Sequence, residues 1–75
     1  MGILPILTSR QVIRALERAG FQLQRQTGSH ARLKHADGRV VTVPIHANQD
    51  IGRGLLHKIL RDAEMKPADL LALLD

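Results

Sequence analysis

Residues 21 to 44 read FQLQRQTGSHARLKHADGRVVTVP, and the alternation within them decides the fold. Phe21 and Leu23 alternate with Gln22, Gln24 and Gln26, the period of two that gives a strand one buried face. Thr27-Gly28-Ser29 interrupts the pattern. It resumes with Ala31 and Leu33 set between His30, Arg32 and Lys34. Asp37-Gly38 is a hairpin turn signal, and Arg39 to Val43 is rich in β-branched residues. Pro44 ends the third strand, because proline has no N–H to give to a ladder. The stretch predicts a meander of three antiparallel strands, one face on a core and the other open.

On either side the spacing becomes helical. Thr8 or Ser9 can cap a first helix, and Thr8 with Gln11 makes a capping box. Val12, Ile13, Leu16 and Ala19 then recur at helical spacing, with Arg10, Arg14, Glu17 and Arg18 elsewhere on the surface. Gly20 suits the left-handed residue that ends such a helix. After Pro44, a polar connection from Ile45 to Asp50 leads to a second helix with an apolar stripe of Leu55, Leu56, Ile59, Leu60 and Ala63. Pro67 fits the first turn of a short final helix, with Leu70, Leu71 and Leu74 facing inward. The expected order is α-β-β-β-α-α, an α+β fold with helices on one face of a three-stranded antiparallel sheet. Neither a repeat nor a linker divides the chain, so residues 1–75 are expected to form one domain.

Composition narrows the function classes. At 44% apolar and 24% charged the chain is globular rather than disordered. Phe21 is the one aromatic residue, so the core is built from Leu, Ile, Val and Ala. The absence of cysteine excludes disulfides, thiolate metal sites and cysteine nucleophiles, and fits a reducing cytoplasm. The apolar opening, Met1 to Leu7, is too short for a secretory signal and has no basic start. No stretch approaches the roughly 20 apolar residues of a membrane span. A soluble, cytoplasmic protein is expected. The net charge of +4 is uneven: ten Lys or Arg against three acids up to Arg61, then Lys66 against four acids. A basic body attracts polyanions, nucleic acid above all, although a solvated surface carries the same signature.

If Phe21, Leu23, Ala31, Leu33, Val41 and Val43 face the core, then Gln22, Gln24, His30, Arg32 and Lys34 face away from it. His30 is the candidate for proton transfer, since imidazole titrates near working pH and RNA cleavage without a metal needs such a group. Gly28 lets the backbone approach a phosphate, and the amides around Ser29 can help hold it. Arg32 and Lys34 can neutralise charge building on the phosphorus. The same residues also read as an ordinary strand histidine behind a glycine turn. Ser29 lacks the strand–elbow–helix context and the carboxylate that a serine hydrolase needs. His30, His35, His46 and His57, separated by five, eleven and eleven residues, do not match compact metal-ligand motifs, so no metal or cofactor is expected. His57 reads as solvated. His46 follows the Pro44 stop and can reach the same surface as a substrate contact.

The run Val12 to Phe21, then Gly28-Ser29-His30, then Asp37 to Pro44 with His46, resembles the HicA toxin family. The likeness continues through Gly54-Leu55-Leu56 and Ile59-Leu60 and covers the chain from about Thr8. It implies a double-stranded-RNA-binding-like fold acting as an mRNA interferase in a type II toxin–antitoxin pair. The family's catalytic histidine falls on His30, and its glycine and serine on Gly28 and Ser29. The implied partners are mRNA and a HicB-family antitoxin that covers the active surface. Two departures stand out: Leu55 where many members have Thr, and Glu64 where many have Gly after the second helix.

The leading expectation is a metal-independent endoribonuclease toxin with His30 as acid or base and Arg32 and Lys34 as electrostatic helpers. The residues do not identify the second proton-transfer group, for which His46 is the best candidate. The alternative is a non-catalytic RNA-binding module using the same basic face. A pure protein-interaction module is a third class. A DNA-reading helix-turn-helix fits poorly, because strands separate the two long helices.

Overall fold

The computed structural model describes residues 4–45 and 50–74. Along the chain run β1 (Leu7–Thr8), α1 (Ser9–Arg18), β2 (Phe21–Thr27), β3 (His30–His35), β4 (Val40–Pro44), β5 (Asp50–Ile51), α2 (Arg53–Ala63) and α3 (Pro67–Leu73). β2, β3 and β4 form a three-stranded antiparallel sheet in that order. The fold is α+β, and its central α-β-β-β-α order is compatible with a double-stranded-RNA-binding-like arrangement. Among the described residues no helix is long and apolar enough to cross a membrane.

The sheet buries one face because its apolar residues alternate. Ala31 and Leu33 of β3 and Val41 and Val43 of β4 are fully buried, while Arg32, Lys34 and Thr42 between them are exposed. Against that face pack Val12, Ala15 and Leu16 of α1 and Leu56, Ile59, Leu60 and Ala63 of α2, with Leu70 of α3 closing the same core. Each valine, leucine or isoleucine among them contributes about 1.5–3 kcal/mol on burial, before the entropy of ordering it is subtracted.

Local chemistry sets the element ends. The capping box forms as the spacing predicts: Gln11 N–H donates to Thr8 Oγ1 at 3.2 Å, and Thr8 N–H donates to Gln11 Oε1 at 2.9 Å. Gly20 follows α1 with a φ of 103°. The Asp37-Gly38 turn also forms, with Gly38 N–H on the His35 carbonyl at 2.9 Å and Gly38 at φ 101°. Pro67 opens α3.

Three features depart from the expected order. β1 and β5 pair as a second, two-stranded sheet, Leu7 opposite Ile51 and Thr8 opposite Asp50, which draws Leu4 and Leu7 into the core. The connection beginning at Ile45 is therefore strand by Asp50. Leu23, expected in the core, is 45% exposed. It lies on the edge strand immediately before a register shift between Leu23 and Arg25, where Gln24 becomes an extra, unpaired residue. Gln24 is thus a bulge residue rather than a member of the regular alternation.

Candidate functional site

The loop Gly28-Ser29 joins β2 to β3, with Thr27 and His30 as its flanking pair. Gly28 has φ 52°, and Ser29 is not among the residues of positive φ. That sign pattern is the one a type II′ hairpin turn needs, and it matches the twist of the two strands. A Cβ on Gly28 would meet nothing within 4 Å, so the backbone, not crowding, calls for glycine.

His30 is the first residue of β3 and is exposed on the face opposite the buried Ala31 and Leu33. Across the sheet it pairs with Pro44 of β4. Two contacts hold that corner: Ile45 N–H donates to the Ser29 carbonyl, and the Ser9 hydroxyl donates to the Pro44 carbonyl at 2.7 Å. Ser9 is only 6% exposed, so the start of α1 is hooked onto the strand end facing His30. Ser29 Oγ lies 3.4 Å from His30 Nδ1, a long contact. Among the described residues no carboxylate forms an ion pair with His30, so the third member that a hydrolase triad needs is not among them.

Arg32 and Lys34 follow His30 on the same exposed face, each step along the strand spanning about 7 Å. The neighbouring strands supply Gln22 opposite Lys34, Arg25 opposite Arg32 and Thr27 opposite His30 on one side. On the other side stand Val40, Thr42 and Pro44. The structure thus brings Gly28, Ser29, His30, Arg32 and Lys34 onto one turn and strand. Arg25 joins them, although regular alternation places it on the core side opposite Ala31. The clue was available: an arginine in a core-facing slot of a strand marks either a free edge or a bulge. His46 lies outside the described residues.

The remaining histidines are placed differently. His57 is exposed on α2. His35 is half-buried at the far end of β3, its ring edge-on to Phe21 with centroids 5.2 Å apart, and its Nδ1 accepts from Asp37 N–H at 3.2 Å. Arg39 stacks over Phe21 at 5.1 Å and donates to the Ala63 carbonyl at the end of α2. Its Nε also bonds both Asp37 oxygens, at 3.0 and 2.8 Å. That hydrogen bond is the main reason the Asp37 carboxyl sits below its ordinary value and the Arg39 guanidinium above its own. This cluster ties the second hairpin to α2. Among the described residues no three of His, Cys, Asp and Glu converge as a metal would require.

Residues 9–65 match the sequence model of the family described as HicA toxin of bacterial toxin-antitoxin. The chain belongs to the HicA toxin family. No curated protein matches it. The span that carries HicA membership starts at the buried Ser9, contains the whole basic face, and ends at Met65, just past α2. It leaves α3 outside. A HicA toxin is one half of a toxin–antitoxin system, so an antitoxin is its partner.

Proposed function

We propose that this HicA toxin is an endoribonuclease, an mRNA interferase that cuts mRNA in the cytoplasm without a metal and is neutralised by a HicB-type antitoxin. The observation that carries the reading is the exposed His30 at the head of a strand whose open face continues into Arg32 and Lys34. In the reaction, His30 takes the proton of a ribose 2′-hydroxyl. The 2′-oxygen attacks the adjacent phosphorus and the P–O5′ bond breaks. The departing 5′-oxygen receives a proton, leaving a 2′,3′-cyclic phosphate and a 5′-hydroxyl, so no water or cofactor is consumed. Arg32 and Lys34 stabilise the extra negative charge on the phosphorane. Gly28 and Ser29 shape the turn that lets the phosphate approach. We assign the second proton transfer to His46; its chain neighbour Ile45 donates its own N–H to the Ser29 carbonyl.

Base recognition is expected to be loose. Proteins that read single strands stack bases on aromatic side chains, and Phe21, the chain's one aromatic, is 2% exposed beneath His35 and Arg39. A cleavage map dominated by one long motif would contradict this.

The second reading, an RNA-binding module without catalysis, is favoured by one observation: among the described residues the only polar contact of the His30 ring is the long one to Ser29. RNA cleavage in EDTA by wild type and by His30→Ala of verified fold separates the two. Cleavage by wild type alone establishes the nuclease centred on His30. Salt-sensitive binding with no cleavage by either establishes the binding module. Equal cleavage by both removes His30 from the mechanism.

A further inference from the structure

We propose that Arg25 and Arg32 form a two-arginine clamp on one phosphodiester of the RNA, beside the position of His30. The inference rests on the RNA-directed reading above and adds to it a residue outside the turn and β3.

The register carries it. Before the bulge β2 and β3 run Phe21 opposite His35, Gln22 opposite Lys34 and Leu23 opposite Leu33. Continued without interruption, that ladder sets Gln24 opposite Arg32 and Arg25 opposite the buried Ala31. The extra residue changes both pairings: Arg25 stands directly opposite Arg32, and both side chains belong to the open face. Directly paired strand residues lie about 5 Å apart at Cα, so the two guanidinium groups can reach one anion from two sides.

Among the described residues no acidic side chain accounts for the pair. Like charges directly opposite each other weaken a ladder. Among the described residues neither arginine has an ion-pair partner, Asp37 being held by Arg39 and Asp62 by Lys58. Lys34 stands two residues further along β3 and adds to the same positive potential. An arrangement that costs the free protein stability becomes favourable when an anion sits between the cations. A phosphodiester suits it, because each planar guanidinium presents a fork that fits phosphate oxygens. The clamp holds the RNA backbone next to the reacting ribose. Arg25 is a positioning residue, not a catalytic one.

The test uses the full chain with His30→Ala as a background that leaves the RNA intact. Binding of a short RNA is measured at several salt concentrations for that protein and for added Arg25→Gln, Arg32→Gln, both together, and Lys58→Gln. Lys58 lies on α2, away from the open face, so its loss is a control for net charge. Arg25→Gln is expected to weaken binding about tenfold, the size of a lost charged hydrogen bond, and to lower the salt slope by about 1. The double variant should lose less than the product of the two single losses, because both arginines serve one phosphate. Thermal stability should stay level or rise in Arg25→Gln, since a repulsive pair is gone. If Arg25→Gln matches Lys58→Gln while RNA still binds, the clamp is overturned and the RNA reading stands. If Arg25→Gln lowers the melting temperature, the arginine is structural and the clamp is overturned. If no variant binds RNA, the RNA reading itself fails and the clamp with it.

Discussion

Replacing Glu64 by glycine should stabilise the protein. Glu64 follows α2 with φ 55° and ψ 44°, the one non-glycine residue of positive φ among those described. Its N–H bonds the Arg61 carbonyl at 3.1 Å, and Met65 N–H bonds the Leu60 carbonyl at 2.9 Å. Together these are the two bonds of the Schellman helix end, whose left-handed position is usually glycine. An L side chain held there costs about 1–2 kcal/mol. Glycine returns about 0.5–1 kcal/mol of that through its greater freedom in the unfolded chain. The net gain is about 0.5–1 kcal/mol, which in a domain of this length raises the melting temperature by about 2–8 °C. The Coulombic attraction between Glu64 and Arg39 is lost as well, which places the result toward the lower end. Thermal unfolding of wild type, Glu64→Gly, Glu64→Asn and Glu64→Ala tests the cause. Asparagine, which tolerates the left-handed region, should fall between wild type and glycine. Alanine removes the charge but keeps the strain, so it should give no gain. If Glu64→Ala matches Glu64→Gly, backbone strain is not the origin of the effect.

Ser9→Ala removes the 2.7 Å bond to the Pro44 carbonyl and leaves that acceptor without a partner at a half-buried corner. A loss of about 1–3 kcal/mol in denaturant unfolding is expected, and an unchanged midpoint would refute the hook. Gly20→Ala should destabilise more than Gly28→Ala: both have positive φ, but a Cβ at Gly20 would lie 2.8 Å from His35 Nε2, whereas one at Gly28 meets nothing within 4 Å. Equal losses in the two variants would show that the His35 ring yields freely. The Arg39 hydrogen bond holds the Asp37 carboxyl below its ordinary value, so its contribution to stability is present above the ordinary carboxyl range and is lost as pH falls through the lowered value. Asp37→Asn should therefore be less stable than wild type near neutrality and should flatten the fall in stability in acid; parallel stability–pH curves would contradict this.

Most of the architecture was legible because it rests on periodicity. β3, with apolar Ala31 and Leu33 between three polar residues, admits one orientation once a core exists. α1 announces itself by its capping box, and the second hairpin by Asp37-Gly38. What escaped the sequence is what periodicity cannot encode. The pairing of Leu7–Thr8 with Asp50–Ile51 is too short to have a period. The bulge is a one-residue event in a polar strand, where no buried side chain enforces register. That single shift moved Arg25 to the open face and left Gln24 as the extra, unpaired residue. Ser9 looked like one of two alternative caps; only the tertiary structure shows Thr8 doing the capping while Ser9 holds Pro44.

β3 also sorts two histidines that composition alone treats alike. His30 and His35 stand at opposite ends of the strand and, five residues apart, on opposite faces. His35 falls on the side of Phe21, where the ring, the Asp37 amide and the Gly20 backbone fix its position. A ring held on three sides cannot turn to meet a substrate, and its role is to join β2 to the second hairpin. His30 falls on the open side with only Ser29 near its ring. There an incoming phosphate and the flanking cations, rather than a fixed carboxylate, would set its orientation. On the proposed reading that freedom is functional, because one imidazole must accept a proton from a hydroxyl and release it again within each cycle. Strand parity, set by the alternation of Ala31 and Leu33, thus makes one imidazole a structural joint and leaves the other exposed on the open face, where the proposed chemistry needs it.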